Sequence, residues 1–580
     1  MSHLQIPNIM QFNALTDKAV TFFLLLCLCF PSPVQAQETP SRSLSCQQNF
    51  TPAPDGFDFL TANTLRYSVP ENTRINRIHI TRLPIFDLSS PDEDLWIYAL
   101  ANRLHIQTEA STIEQILLVE SGEEYDQRSL QESARLLRLQ NFFQDASIQP
   151  VSLCNDLVDI EIVTRDTWSL TPGISFDRSG GENSYAINLR EANFLGKGKL
   201  LTLVREENID RDTNEFLYDD NNLFGSRHTV RLGLSNSSDG FSHFADLGLP
   251  FYALDSRQSW QLSVVNERLI DNLFFRGEEV SEVQNRLKAL LLQAGISRGL
   301  QQGYSRRYFA GYQYQDNTFS ATDGLPPPAE FPQDRKLSFP FLAYESLEDN
   351  YATGFNLNQI YRTEDLHLGR YLSHKVGFAA KALGSDQNRL VIEGHYRDTL
   401  IYSASVLWSH ELNWQGLWNV DSGAGQDIEL SYQSRFFKHW SERHTSYIRL
   451  EGTYIRNMNS NQQVTLGGLN GARAYDNRFQ TGDRRVVLNL EDRIYSNIHL
   501  LNLIRVGGAV FMDVGSAWTP GQENGTANRL LANAGFGLRF TASKGASRQV
   551  AHLDFAFPLT NASDPAVDSF QIAFNVKSDF

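Results

Sequence analysis

The last twelve residues, Ser569 to Phe580, leave the chain few ways to fold. Phe570, Ile572, Phe574, Val576 and Phe580 share one parity, and Gln571, Asn575, Lys577 and Asp579 share the other. This predicts a strand with one apolar face and one wet face. A strand this regular that runs to a final aromatic residue predicts a terminus locked into a sheet. In a transmembrane β-barrel it would be the closing strand, with its apolar parity toward lipid and Phe580 in the interfacial aromatic girdle. At the edge of a soluble sandwich it would read the same, so the rest of the chain has to decide.

The N-terminal stretch points to export. Lys18 precedes an apolar run from Ala19 to Phe30, broken only by Thr21, and Val34-Gln35-Ala36 follows as a small-residue cleavage signal. Residues 1–36 therefore read as a signal peptide. The run is too short to span a bilayer as a helix, and no later stretch approaches that length, so membrane insertion would have to use strands. Cys27 follows Leu26, and Cys46 lies well beyond the apolar run, so neither suits a lipoprotein anchor.

With 580 residues, 41% hydrophobic and 20% charged, the chain predicts an ordered protein of more than one domain. Asp17 and Lys18 cancel, so loss of the signal leaves the net charge at −16. That argues against a nucleic-acid partner, because phosphate binding relies on clustered Lys and Arg. Of the four cysteines, Cys27 and Cys29 leave with the signal. Cys46 and Cys154 remain in an oxidising compartment, where they either pair or stay free. Two cysteines cannot make a structural zinc site by themselves, and no metal or cofactor is expected.

Residues 37–74 are rich in Pro, Ser, Thr, Asn and Gln and predict a linker or irregular segment. Structure is expected from Ile75. Ile78 and Ile80 alternate with Arg77, His79 and Thr81 as a half-buried strand. Ser90-Pro91-Asp92-Glu93 carries a capping-box pair before Leu95, Trp96, Ala99 and Leu100, and Ser111 with Glu114 repeats it before Ile113, Ile116 and Leu117. Asp126 is placed to cap a third helix whose buried stripe is Leu130, Ala134 and Leu137. Strands are then expected over Ala146 to Val151 and Leu157 to Thr164. The result is a small α/β module whose open sheet edge can accept an extended peptide.

The run Leu117-Leu118-Val119 through Gly122-Glu123-Glu124-Tyr125-Asp126, then Ser133-Ala134-Arg135-Leu136-Leu137-Arg138 and Asp145-Ala146, closing on Thr164-Arg165-Asp166-Thr167-Trp168, resembles a POTRA domain of the BamA/TamA outer-membrane assembly superfamily. The resemblance implies a periplasmic module over residues 75–168. That family usually carries several such modules, and this sequence shows one.

From residue 169 to 580 no long amphipathic helix appears. Short alternating runs rich in Tyr, Phe, Thr and Val, broken by Gly, Asn and Asp, predict an all-β barrel. Roughly 410 residues accommodate about 16 antiparallel strands of ~10 residues. Asn193-Phe194-Leu195-Gly196-Lys197-Gly198, Leu223-Phe224-Gly225-Ser226-Arg227, Pro250-Phe251-Tyr252 with Leu254-Asp255-Ser256-Arg257, and Glu364-Asp365-Leu366-His367-Leu368-Gly369-Arg370 resemble the surface-antigen-type barrels of the same superfamily. Gly467-Gly468-Leu469-Asn470-Gly471-Ala472-Arg473-Ala474-Tyr475 resembles the family's lumen-inserted sixth extracellular loop. The family's tip reads Val/Ile-Arg-Gly-Phe/Tyr. Arg473 and Tyr475 match it, and Ala474 stands in place of glycine.

Alternation within the last strands adds a residue-level expectation. Val486, Leu488 and Leu490 take one parity, and Asn489, Glu491 and Arg493 the other. Val510, Met512 and Val514 oppose Phe511, Asp513 and Gly515, with Phe-Met-Asp-Val-Gly similar to the family's Phe-x-Asp-x-Gly strand. Arg539 and Asp554 each oppose an apolar parity in turn. Glu491, Arg493, Asp513, Arg539 and Asp554 are thus expected to face one lumen. There Arg473 can form a charge-assisted pair with Asp513 or Glu491 and latch the loop. The resemblance favours Asp513.

Gly295-Ile296-Ser297-Arg298-Gly299 fits a nucleophile-elbow pattern, but that pattern needs a strand-to-helix turn, and these residues sit among strand-like segments. No enzymatic activity is expected. The resemblance implies an integral outer-membrane protein that inserts proteins into, or translocates them across, that membrane. Its partners would be outer-membrane lipids, unfolded or secreted polypeptides, and periplasmic chaperones or accessory proteins. A dedicated two-partner-secretion pore and a barrel hydrolase are the alternatives.

Overall fold

The computed structural model describes residues 60–62, 69–208, 210–521, 530–577 and 580. The expected signal peptide, most of the expected linker and Cys46 lie outside the described residues. Between Arg74 and Asp166 the chain forms β1 (Arg74–Leu83), α1 (Trp96–Leu104), α2 (Ala110–Glu114), α3 (Gln127–Arg138), β2 (Phe143–Cys154) and β3 (Leu157–Asp166). Strand β3 is central, parallel to β1 and antiparallel to β2. Leu130, Ala134 and Leu137 of α3 close over Ile75, Ile148, Val158, Ile160 and Ile162. The Asp126 carboxylate accepts the backbone N–H groups of Arg128 and Ser129 at 3.2 and 3.1 Å, which satisfies two otherwise unpaired donors of the first turn. Cys154, at the end of β2, is disulfide-bonded.

The first two helices do not start where their capping signals suggest, α1 beginning later and α2 slightly earlier. Helix α1 begins at Trp96 with no side-chain cap, because Glu93 is engaged elsewhere. It accepts the Asp87 N–H at 2.6 Å and pairs with Lys544 at 2.8 Å. Helix α2 begins at Ala110, and the Ser111 hydroxyl donates to Glu109 instead of capping. The expected apolar stripe of α1 also differs from the observed one. Leu95, Trp96, Ala99 and Leu100 are exposed, and Tyr98 is the buried residue. Tyr98 stacks on Phe86 with ring centroids 4.5 Å apart, and its hydroxyl donates to the Leu501 carbonyl in a turn of the barrel.

From Leu170 to Lys577, twenty strands close into an antiparallel barrel. This corrects the expected count of about 16. The reason lies in the connections. Gly180-Gly181 (φ 54° and 82°), Arg276-Gly277 (56° and 89°) and Gln302-Gly303 (52° and 78°) are two-residue turns in the left-handed region. Such turns match the twist of a hairpin and consume almost no chain. The first strand is β4 (Leu170–Ser179), and the last five are β5 (Arg484–Leu500), β6 (Ile504–Trp518), β7 (Leu531–Ala542), β8 (Val550–Pro558) and β9 (Gln571–Lys577). Along these last strands Val486, Val510, Phe536 and Leu538 are exposed on the outside, while Glu491, Arg493, Asp513, Arg539 and Asp554 are buried inside.

The α/β domain is seated on one mouth of the barrel. A hairpin, Tyr351–Gly354 with Glu364–His367, forms a floor beneath that mouth, and Leu60–Ala62 adds to its edge. Its loop reaches turns on the opposite side, where Asn356 donates to the Glu442 carbonyl and Gln359 to that of Arg548. Glu364 accepts the N–H groups of Leu357, Asn358 and Gln359 at 3.0 to 3.2 Å and holds this loop in shape.

Barrel closure is uneven. Strand β9 pairs with β8 from Gln571 to Lys577 without interruption. With β4 it shares one register pair, Phe574 with Arg178, among the described residues. Ile572 and Phe570 are exposed on the outside, Phe574 and Val576 are half-buried on the same parity, and Gln571, Ala573 and Asn575 are buried inside. Phe580 departs from the expected aromatic girdle. It is 2% exposed and packs against Tyr495, Ile360 and Ala509, with the Arg493 and Arg539 guanidiniums near its ring. Cations placed over an aromatic ring are attracted to its face.

Candidate functional site: an arginine latch in the barrel lumen

The connection between the strand His444–Arg456 and β5 folds into the lumen and carries a small hairpin, Val464–Leu466 with Gln480–Gly482. Ala472, Ala474, Tyr475 and Phe479 pack against Val487, Phe511 and Leu531 of the wall. One glycine makes the turn possible. Gly471 has φ 103°, and a β-carbon there would lie 2.7 Å from Val487 Cγ1. Ala474, by contrast, is not in the left-handed region, so alanine fits where the resembling family has glycine.

Arg473 sits at the tip. Its Nη2 donates to Glu491 Oε1 at 2.5 Å, its Nε lies 3.1 Å from Asp513 Oδ2, and its Nη1 lies 3.3 Å from Asp554 Oδ2. The guanidinium carbon lies over the Phe511 ring, 3.8 Å from its centroid. The sequence reading paired Arg473 with Asp513 or Glu491. The structure brings both together with Asp554, and the shortest contact is to Glu491. Arg493 donates to Glu491 Oε2 at 2.9 Å, and Arg539 donates to Asp554 Oδ1 at 2.5 Å. Three guanidiniums and three carboxylates thus form one compensated buried cluster. This is the condition under which buried charge is tolerated.

Two amides complete the site. Asn489 and Asn533 donate to the two oxygens of Asp513 at 2.7 and 2.8 Å, orienting a carboxylate that is fully buried. Asn489 has the lumen parity already read from β5. Asn533 shares the parity of Arg539 on β7, so alternation could have found it. Tyr475 is held differently from Arg473. Its hydroxyl donates within reach of the Ala532 and Thr560 carbonyls, each at 2.8 Å. Nothing in the sequence marked Thr560, because it lies in a loop without periodicity.

The residues after Tyr475 reach the other side of the weak closure. Asn477 donates to the Ser179 carbonyl at 2.7 Å and to Glu182 at 3.1 Å, and its own N–H bonds the Gly180 carbonyl. Gln571 of β9 donates to Asp476 at 3.1 Å. The loop therefore touches the β7 and β8 side through Tyr475 and the β4 side through Asn477. It bridges the closing seam, where β9 and β4 share one register pair among the described residues.

The cluster also extends toward the floor. Arg493 Nη1 donates to the Leu357 carbonyl at 2.8 Å, so Glu491 is bridged through Arg493 to the loop that Glu364 organises. Beside the latch, between the strands from Gln258–Phe275 to Gly425–Ser441, lies a lumenal cavity of about 630 Å³. Glu267, Asp271, Arg335, Lys375 and Glu393 are among its walls. Ser297, of the elbow-like motif, lies in the strand Glu278–Gln301, where its hydroxyl donates to the Arg306 carbonyl at 2.8 Å. The chain continues into a bulge and a turn, with no helix following. Among the described residues no cluster of metal-ligating side chains occurs.

Neither a protein-family model nor a curated protein matches the chain. Among solved structures it is similar to CdiB from Escherichia coli, at 13% identity over 87% of this chain and 76% of that one, with a TM-score of 0.44. CdiB from Acinetobacter baumannii gives 12% identity over 87% and 73%, with a TM-score of 0.38. BamA from Haemophilus ducreyi lacking POTRA domains 1–3 gives 13% over 87% and 85%, with a TM-score of 0.37. At these identities and scores, the fold assignment rests on the chain's own strand pairing: a closed barrel of twenty strands with a small α/β domain across one mouth.

Proposed function

We propose that the chain is an outer-membrane protein that inserts polypeptides into that membrane or moves them across it, with the α/β domain as a single POTRA-like module on the periplasmic side. The observation that carries this reading is the seam. Strands β9 and β4 share one register pair among the described residues, while the inserted loop bridges their two sides. A barrel that needs only to be stable gains from full closure, because unpaired strand edges are liabilities. A seam that a loop bridges can open once the latch releases, exposing strand edges that template an incoming strand. The domain supplies a second edge. Strand β1 is an outer strand of its sheet and carries no proline, whereas the other outer strand, β2, contains Pro150.

A second reading, a translocation pore for one secreted protein, is favoured by the lumenal cavity of about 630 Å³ beside the latch. Displacement of the loop would join that space to the rest of the lumen. Periplasmic chaperones or accessory proteins would then deliver cargo to the domain, and no cofactor or enzymatic step is assigned to either reading.

Gene deletion followed by quantification of the outer-membrane proteome separates these readings. Complementation uses wild type and Arg473→Glu, with surface abundance and heat-modifiable migration checked for both. A fall in many barrel proteins that the folded variant does not restore supports insertion. Loss of one secreted protein identifies a dedicated pore. An unchanged proteome and secretome overturns both.

A further inference from the structure

Helix α1 turns its apolar residues away from the domain it belongs to. Trp96 is 76% exposed and Leu104 65%, with Leu100 exposed between them, while Tyr98 faces inward to Phe86. The helix is fixed at the barrel rim. The Tyr98 hydroxyl donates to the Leu501 carbonyl, and Asn502 donates to the Asp92 carbonyl. Leu501 is itself 76% exposed and stands at the tip of the turn between β5 and β6 with φ 49°. That conformation disfavours a residue with a β-carbon. Ile504 and Val510 continue the same exposed apolar surface down the outer face of β6. The helix face is therefore an extension of the barrel's outer wall rather than an isolated patch.

Two other turns on the same end repeat the device. Asn193-Phe194-Leu195-Gly196 and Asn222-Leu223-Phe224-Gly225 each place the third residue in the left-handed region, at φ 56° and 54°. Both side chains, Leu195 and Phe224, are exposed. Apolar tips held outward in a disfavoured conformation recur where the domain meets the barrel.

We propose that α1 and the Leu501 turn lie in the near leaflet of the bilayer, with phospholipid as the partner of the exposed apolar face. This rests on the barrel being embedded in a membrane. Amphipathic helices of this kind sit with their apolar face roughly 5–10 Å into the boundary between headgroups and acyl chains. The contact would hold the α/β domain against the membrane at the β5–β6 turn. The opposite, polar side of the domain would remain free to meet cargo.

The test uses full-length protein in phosphatidylethanolamine–phosphatidylglycerol vesicles, with lipids brominated along the acyl chains as quenchers. Single cysteines, Trp96→Cys, Val510→Cys and Asp156→Cys, are labelled with a fluorophore without reduction, so that the disulfide of Cys154 stays closed. The expected result is a loss of fluorescence at position 96 comparable to that at 510, with none at 156, the exposed tip of the β2–β3 hairpin. Quenching at 510 but not at 96 overturns the proposal and leaves the membrane reading intact. No quenching at either position overturns both. Shielding of position 96 from brominated lipid and from aqueous iodide alike also overturns it, because a protein segment would then cover the face. Leu100→Glu with Leu104→Glu, both at exposed positions, is expected to abolish quenching at position 96 while leaving that at 510 unchanged. Retained quenching at 96 would count against the helix face as the contact.

Discussion

Arg138 of α3 and Asp365 of the floor hairpin meet side-on across the junction of the two domains. Nε lies 2.9 Å from one carboxylate oxygen and Nη2 2.5 Å from the other. Both side chains are nearly buried, at 12% and 6% exposure. The planar fork of arginine matches a carboxylate in this geometry. Beside it, Arg362 of the floor donates to the Phe143 carbonyl, and Arg548 donates to the carbonyls of Arg138 and Gln140. The small domain is thus locked to the floor, and the floor to the latch through Leu357 and Arg493.

Removing one partner of the Arg138–Asp365 pair leaves a buried charge uncompensated, at a cost of about 3–5 kcal/mol. Asp365→Ala should lower the resistance of the α/β domain to proteolysis while the barrel keeps its heat-modifiable migration. The double variant with Arg138→Ala should lose less than the two single losses added, as a double-mutant cycle measures. Strict additivity would show that the two residues do not act as a pair.

Arg473→Lys should behave like a loss-of-latch variant rather than a conservative one. Lysine offers a point charge and cannot reach three carboxylates while also resting over the Phe511 ring. Both Arg473→Lys and Arg473→Ala are expected to raise single-channel conductance in planar bilayers, because the loop loses its anchor to Glu491, Asp513 and Asp554. Conductance equal to wild type would show that packing of Ala472, Ala474 and Tyr475 suffices to hold the loop.

The staple over the seam should respond to pH through Asp476. Burial first, and then the neighbouring carboxylates of Asp568, Glu182 and Glu278, push the Asp476 carboxyl up to about 6 from an ordinary value of 3.8. The folded state therefore binds this proton more tightly than the unfolded state. The stability it lends is complete below the ordinary value and is lost as pH rises through about 6. Thermal unfolding should shift to lower temperature between pH 5 and pH 7.5 in the wild type, and by less in Asp476→Asn. Equal shifts would assign the pH dependence to other groups.

A disulfide across the seam should stop function without unfolding the barrel. Arg178→Cys with Phe574→Cys joins a register pair of β4 and β9, where facing residues of antiparallel strands fall within disulfide range. Activity in the proteome assay should disappear under oxidising conditions and return on reduction, with either single variant as control. Activity that persists with the bond formed would exclude seam opening.

Much of this protein follows from alternation. The lumen parity of Glu491, Arg493, Asp513, Arg539 and Asp554 could be read in sequence because side chains along an uninterrupted strand alternate with a period of two. The cap at Asp126 was equally legible, because it depends on groups two and three residues away. What sequence alone could not decide were the relations between distant segments. The strand count depends on how little chain the turns consume. The orientation of α1 depends on Glu93 leaving its cap for Lys544 and on Tyr98 reaching Leu501. Phe580 turned inward because Arg493 and Arg539 face it from strands far away in sequence. The choice among three carboxylates for Arg473, and the stapling of the seam through Asn477, likewise exist only once β4, β5, β6 and β8 share one lumen. Local chemistry wrote the faces of the strands, and the closure of the barrel decided which charges would meet, because pairing across hundreds of residues depends on three-dimensional register rather than on spacing.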